Sequence, residues 1–159
     1  MIRIVSGGQT GVDRGALDAA LAAGFPCGGW CPADRAAEDG PIPARYPLQE
    51  LAGAGYLQRT RKNVEDSDGT LIITFGAPSG GTLRTIEFCQ RLHKPHVVVD
   101  ASKTSESAAA AEIARFVEEQ GIKVLNVAGP RLSGWRQGHG FAIEVVGELI
   151  QRCRGSTAR

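Results

Sequence analysis

Two short runs in this chain combine glycine with small hydroxyl residues where an apolar stretch gives way to helical spacing. The first is Ser6-Gly7-Gly8-Gln9-Thr10-Gly11-Val12-Asp13, directly after the β-rich residues 2–5. The second is Gly76-Ala77-Pro78-Ser79-Gly80-Gly81-Thr82, after residues 71–75. Glycine lets backbone N–H groups close on an anion, and a helix that starts inside such a turn adds unpaired amides and a favourable dipole. Gly7, Gly8, Gln9, Thr10 and Gly11 are therefore candidates to hold one anionic group, and Ser79, Gly80, Gly81 and Thr82 another. Neither run has the G-x-G-x-x-G spacing of a dinucleotide site or the Gly-Lys-Ser/Thr of a Walker loop. Taken singly, each reads equally well as a tight strand-to-helix turn. Two of them at the carboxyl ends of parallel strands point to one shared crevice.

Cations and a carboxylate stand near these turns in the sequence. Arg131, in Ala128-Gly129-Pro130-Arg131, could clamp a phosphate or carboxylate through its planar fork. Arg59, Arg61 and Lys62 cluster within residues 59–63, which reads equally as a solvated basic turn. Glu87, five residues past Thr82, either points back to the crevice or is an ordinary solvated helix glutamate. A metal centre is not expected. Cys27 and Cys31 lack a second cysteine pair or a nearby histidine to complete a tetrahedral set, and His93, His96 and His139 read as structural residues. No G-x-S-x-G elbow marks a serine nucleophile.

These groups need a scaffold, and its pattern is visible. Short β-rich runs at residues 2–5, 71–75, 97–99 and 124–127, with weaker candidates near Cys27 and Tyr56, alternate with helical segments at about 12–23, 82–92, 107–119 and 141–152. That alternation predicts a three-layer, Rossmann-like α/β fold: an open, mainly parallel sheet with helices on both faces. In the first helix Val12, Ala16, Leu17, Ala20 and Leu21 share a stripe that stops at Gly24, with Pro26 beyond. Residues 32–55, with Pro32, Pro41, Pro43 and Pro47, predict a long loop of the kind that often forms a lid.

At 159 residues the chain has the length for one core, so residues 1–154 read as a single ligand-binding domain and residues 155–159 as a frayed tail. The net charge of +1 supplies no general field toward nucleic acid or a membrane, so any anion affinity must be local. Four cysteines are too few for a disulfide-stapled secreted domain, and neither a leader nor a membrane span is evident, so a cytoplasmic location is expected.

The motifs resemble those of the nucleotide-binding superfamily that includes the lonely-guy phosphoribohydrolases, the lysine-decarboxylase-like proteins and the molybdenum cofactor carriers. Gly7-Gly8-Gln9-Thr10-Gly11 resembles its G-G-x-x-G turn, Arg61-Lys62 its Arg-Lys pair, and Ser79-Gly80-Gly81 with Glu87 its P-G-G-x-G-T-x-x-E motif. The family's second glycine and its threonine fall here on Leu83 and Arg84. The strand and turn that open the lonely-guy chain resemble residues 124–131, near the end of this one, which is the circularly permuted order of the molybdenum carrier branch. The resemblance implies a carrier holding molybdenum cofactor or another phosphate-bearing or oxyanion ligand. Alternatively it implies a nucleoside-monophosphate N-glycosidase with Arg61 and Glu87 as catalytic residues, or a sensor of a nucleotide-derived ligand. It further implies a small anionic partner and a homo-oligomer, dimer or tetramer.

Overall fold

The computed structural model describes residues 2–157. In chain order its elements are β1 (Arg3–Val5), α1 (Val12–Ala22), β2 (Cys27–Gly28), β3 (Trp30–Cys31), β4 (Gln49–Glu50), α2 (Tyr56–Glu65), β5 (Gly69–Thr74), α3 (Gly80–Arg91), β6 (His96–Asp100), α4 (Glu106–Glu119), β7 (Val124–Ala128) and α5 (Gly138–Thr157). Five strands form one sheet in the order β2-β1-β7-β5-β6, every pairing parallel, while β3 and β4 make a separate two-stranded ribbon.

Strand β5 shows how the sheet separates two helical layers. It is buried from end to end, and its side chains alternate between faces. Leu71 and Ile73 enter the main core with Ala16, Ile113, Val145 and Leu149 from α1, α4 and α5. Ile72 turns the other way, onto Val64 of α2 and Cys89 of α3. The fold is thus the three-layer, Rossmann-like α/β arrangement. Its order has a further property. A doubly wound sheet of order 3-2-1-4-5 places its first strand in the middle and its ligand crevice at the switch point beside that strand. Here β7, the last strand of the chain, holds the middle position, between β1 and β5.

Two stretches depart from the sequence reading. The segment at Tyr56 is the start of helix α2 and not a strand. Its buried face consists of Thr60, Asn63 and Val64, and a mostly polar inner face hides the helical hydrophobic period. The final helix runs through Thr157, past the expected fray point at 155, and residues 158–159 lie outside the described residues.

The long segment between β3 and β4 carries a single 3-10 turn, Ala33–Arg35, and otherwise no regular structure. It has its own small core of Leu17, Cys31, Ile42, Tyr46 and Leu48. Four of its carbonyls converge on one side chain. The Arg35 guanidinium donates to the carbonyls of Ile42 at 2.9 Å, Pro43 at 2.8 Å, Tyr46 at 3.0 Å and Leu48 at 3.2 Å. A fork with five donors substitutes here for the ladder that a strand would supply. Arg35→Ala is expected to lower unfolding free energy by about 2 kcal/mol, since several carbonyls lose a charged donor at once. Urea denaturation and limited proteolysis, with new cleavage within residues 36–48, check this.

Candidate functional site

At the carboxyl edge of the sheet the β5–α3 and β7–α5 turns, the β1–α1 turn and the start of α2 surround a crevice of about 290 Å³. It lies beside β7, where the strand order reverses direction. That volume suits a small molecule of roughly nucleotide size.

The two glycine-rich turns play opposite parts. In the β1–α1 turn the amides of Gly8 and Gln9 are already taken, by Ser6 Oγ at 3.4 Å and Asp13 Oδ2 at 3.3 Å. The space over Gly7 is filled by the Arg59 guanidinium, and that over Gly8 by the side chains of Leu48 and Ile42. A side chain at Gly8, whose φ is +74°, meets both a strained backbone and this plug. Gly11 packs against the backbone of residues 130–132. Gly7, Gly8 and Gly11 therefore do not line the crevice; they admit protein groups, not an outside anion. The Thr10 hydroxyl is likewise engaged, donating to Glu38 and accepting from the Leu132 amide. Of the first run Gln9 and Asp13 reach the crevice.

The β5–α3 turn is open. Helix α3, twelve residues long, begins at Gly80 with no side-chain cap from Ser79, and the space over Gly80 and Gly81 is empty among the described residues. The first-turn amides of any α-helix have no partner within it, so this terminus presents donors and the positive end of a dipole. Ser79, Gly81 and Thr82 line the crevice. Asp100, at the end of β6, holds the turn by accepting from the Gly76 amide at 2.9 Å. It also accepts from the Ser102 amide and hydroxyl, and these bonds keep its carboxyl below the usual carboxylate range.

Cationic and aromatic groups complete the walls. Arg131 stacks its guanidinium 4.4 Å from the centre of the Tyr56 ring. Trp135 stacks on Phe75, ring centres 5.6 Å apart. Arg59, from α2, is the cation the basic cluster sends inward. Its side chain is 11% exposed, and its Nη1 lies 3.5 Å from Asp13 Oδ2. Arg59 Nε and Gln9 Oε1 are buried without a hydrogen-bond partner. Gln9 is only 2% exposed, with its Nε2 fixed on the Ala36 carbonyl at 2.9 Å. Orphaned buried groups in a crevice wall mark a site that expects a guest or ordered water.

Arg61 and Glu87 are not brought together and line no part of the crevice. Arg61 faces solvent on α2 in a 2.8 Å pair with Glu65, and Glu87 receives Arg84 at 3.2 Å on α3. Arg59 was legible only as one of three clustered cations; that α2 is a helix with a polar inner face decides which one turns inward.

A strap from the long loop ties the crevice wall down. Glu38 accepts from the Ser133 hydroxyl at 2.6 Å and the Ser133 amide at 3.2 Å, besides Thr10, and these bonds hold its carboxyl below the ordinary range. Asp39 receives two guanidinium nitrogens of Arg14 at 2.5 and 2.8 Å. Behind Trp135 and Phe75 lies a wider groove, on whose wall Asp18 accepts from the Tyr46 hydroxyl at 2.8 Å and bonds His139 Nε2 at 2.7 Å.

The model of the circularly permutated YpsA SLOG family matches residues 4–150. The chain belongs to the circularly permutated YpsA SLOG family. In this family member the permutation is visible as β7, last in sequence and central in the sheet. A solved crystal structure from Syntrophus aciditrophicus, described as a "Putative molybdenum carrier protein", is 41% identical, with a TM-score of 0.92 over 94% of this chain and 95% of that one. No curated protein matches. Among the described residues no helix is long and apolar enough to cross a membrane, and no cluster of three or more His, Cys, Asp or Glu side chains is arranged to hold a metal ion.

Burial dominates the acid at the heart of this site. Asp13 is 4% exposed, and desolvation pushes its pKa up to about 6 despite Arg59 beside it. A raised acid pKa contributes stability that is fully present below pH 4 and is lost as the pH rises through 6. Glu38, Asp39 and Asp100, all shifted downward, act in the opposite sense, their contribution being lost as the pH falls through their folded values. Carboxyl carbon-13 NMR is expected to show Asp13 titrating near pH 6, with Asp39 and Asp100 titrating below the usual aspartate range.

Proposed function

We propose that this protein is a carrier that holds an oxyanion or a phosphate-bearing ligand of molybdenum cofactor type in the crevice beside β7. The observation that carries the reading is the open, uncapped start of α3 facing the orphaned, buried Arg59 and Gln9 across one small cavity. Amide and guanidinium donors match the oxygens of a phosphate or an oxo-metal group. The crevice walls present neither a thiol nor an imidazole. A molybdenum-containing guest would therefore be held through its phosphate and oxo oxygens and not by side-chain coordination of the metal. Tyr56 and Trp135 place aromatic side chains in the crevice wall, which suits a flat heterocycle, and the description of the Syntrophus relative agrees with such cargo.

The N-glycosidase alternative assigned its chemistry to Arg61 and Glu87. Both are paired on the outer surfaces of their helices, so the geometry favours holding over cleavage. Gel filtration after incubation with molybdate or molybdenum cofactor is expected to leave about one equivalent on the protein. Nucleoside monophosphates are expected to yield no free base. Retention of neither molybdate nor cofactor, or steady release of base, overturns the carrier reading. Gly81→Asp sharpens the test. The new carboxylate fits the open space and suits a helix N-terminus, so stability is expected to hold or rise by about 0.5 kcal/mol. It occupies the place of the guest's negative group, so retention is expected to fall at least tenfold while thermal melting shows the fold intact.

A further inference from the structure

Asp13 is a buried acid facing the crevice that ligand holding, as described, does not use. Among the described residues its carboxylate is the one negative partner of Arg59, across a gap of 3.5 Å that is too long for a good hydrogen bond. Among its other donors, the buried Nε has no hydrogen-bond partner. An anion entering from the α3 side and reaching Arg59 therefore competes with Asp13 for the same guanidinium, and it does so where little water screens the two negative charges from each other.

The groups around Asp13 leave few ways to relieve that conflict. Arg59 faces it from α2, Arg131 from the β7–α5 turn, and Arg14 from α1 itself. Arg14 is already committed to Asp39 in the strap, and Arg131 lies against Tyr56. The β5–α3 turn adds no titratable side chain to the wall, and Glu38 is bound to Thr10 and Ser133. The remaining relief is to remove the charge on Asp13. A neutral carboxyl still accepts from the Gln9 amide, so the turn keeps its shape.

We propose that anion binding in this crevice is coupled to proton uptake: as the anion takes over Arg59, Asp13 picks up one proton from solvent and becomes neutral. The inference rests on the carrier reading above and adds its regulation, with capture favoured in mildly acidic conditions and release as the pH rises. Because Asp13 changes protonation near pH 6, the fraction ready to receive an anion falls about 30-fold between pH 5 and pH 7.5.

Sulfate is a suitable probe, because it stays a dianion across this range. Calorimetric titration of the full chain with sodium sulfate, at constant ionic strength and in buffers of different ionisation enthalpy, is expected to show binding about 30-fold weaker at pH 7.5 than at pH 5. Uptake of about one proton per sulfate is expected at pH 7.5. Asp13→Asn is expected to bind at pH 7.5 as tightly as the native chain does at pH 5, with no proton uptake, and Gly81→Asp to abolish binding in both backgrounds. Sulfate bound without proton uptake, or an equal pH slope in Asp13→Asn, overturns the coupling and leaves the carrier reading standing. No sulfate binding at either pH overturns the coupling, and the carrier reading is then judged separately by molybdate and cofactor retention. Should Asp13→Asn fail to fold, proton uptake by the native chain decides alone.

Discussion

Arg59 enters the protein beneath the β1–α1 turn, and the architecture of the carboxyl edge follows from giving that charge a place. A guanidinium cannot shed its proton, so it needs room and a counter-charge. Gly7 supplies the room, because any side chain there would collide with the guanidinium. Asp13 supplies the counter-charge, and its position on α1 is fixed in turn by the Gln9 amide and by the Ser6 hydroxyl on its own carbonyl. The glycine-rich signature of the first turn thus records an internal ion pair. That the second turn stays open, with nothing over Gly80 or Gly81, separates the two by role although their sequences look alike.

The strap follows a related economy of donors. A segment without strands or helices of useful length is held by charged side chains that reach backbone and one another. Arg35 gathers four carbonyls, Arg14 receives Asp39, and Glu38 bridges Thr10 to Ser133. The last of these joins the long loop to the β7–α5 turn, so the wall bearing Arg131 and Trp135 is anchored from a segment nearly a hundred residues earlier.

The layered sheet was readable because apolar runs such as residues 71–75 and 124–127 alternate with helical stripes, a pattern set by burial on both faces. The crevice was readable in part, through Gln9, Ser79, Gly81, Thr82 and Arg131, since strand-end turns in such a sheet share one edge. What escaped was directional. Nothing in Arg59-Thr60-Arg61-Lys62 says which cation turns inward until the segment is known to be a helix whose buried face is polar. Asp13 lies outside the apolar stripe of α1, and the cover that buries it comes from α2 and the β7–α5 turn, remote in sequence. Asp100 gave no local signal, for the same reason.

The placement of β7 carries a consequence for how the chain is made. On either side of it stand β1, paired with β2, and β5, paired with β6, and these two halves share no hydrogen-bonded edge of their own. A ribosome delivers both halves before the strand that joins them. The two halves of the sheet can therefore join only once residue 128 has emerged, and α5, which packs on α1 and α4, follows after it.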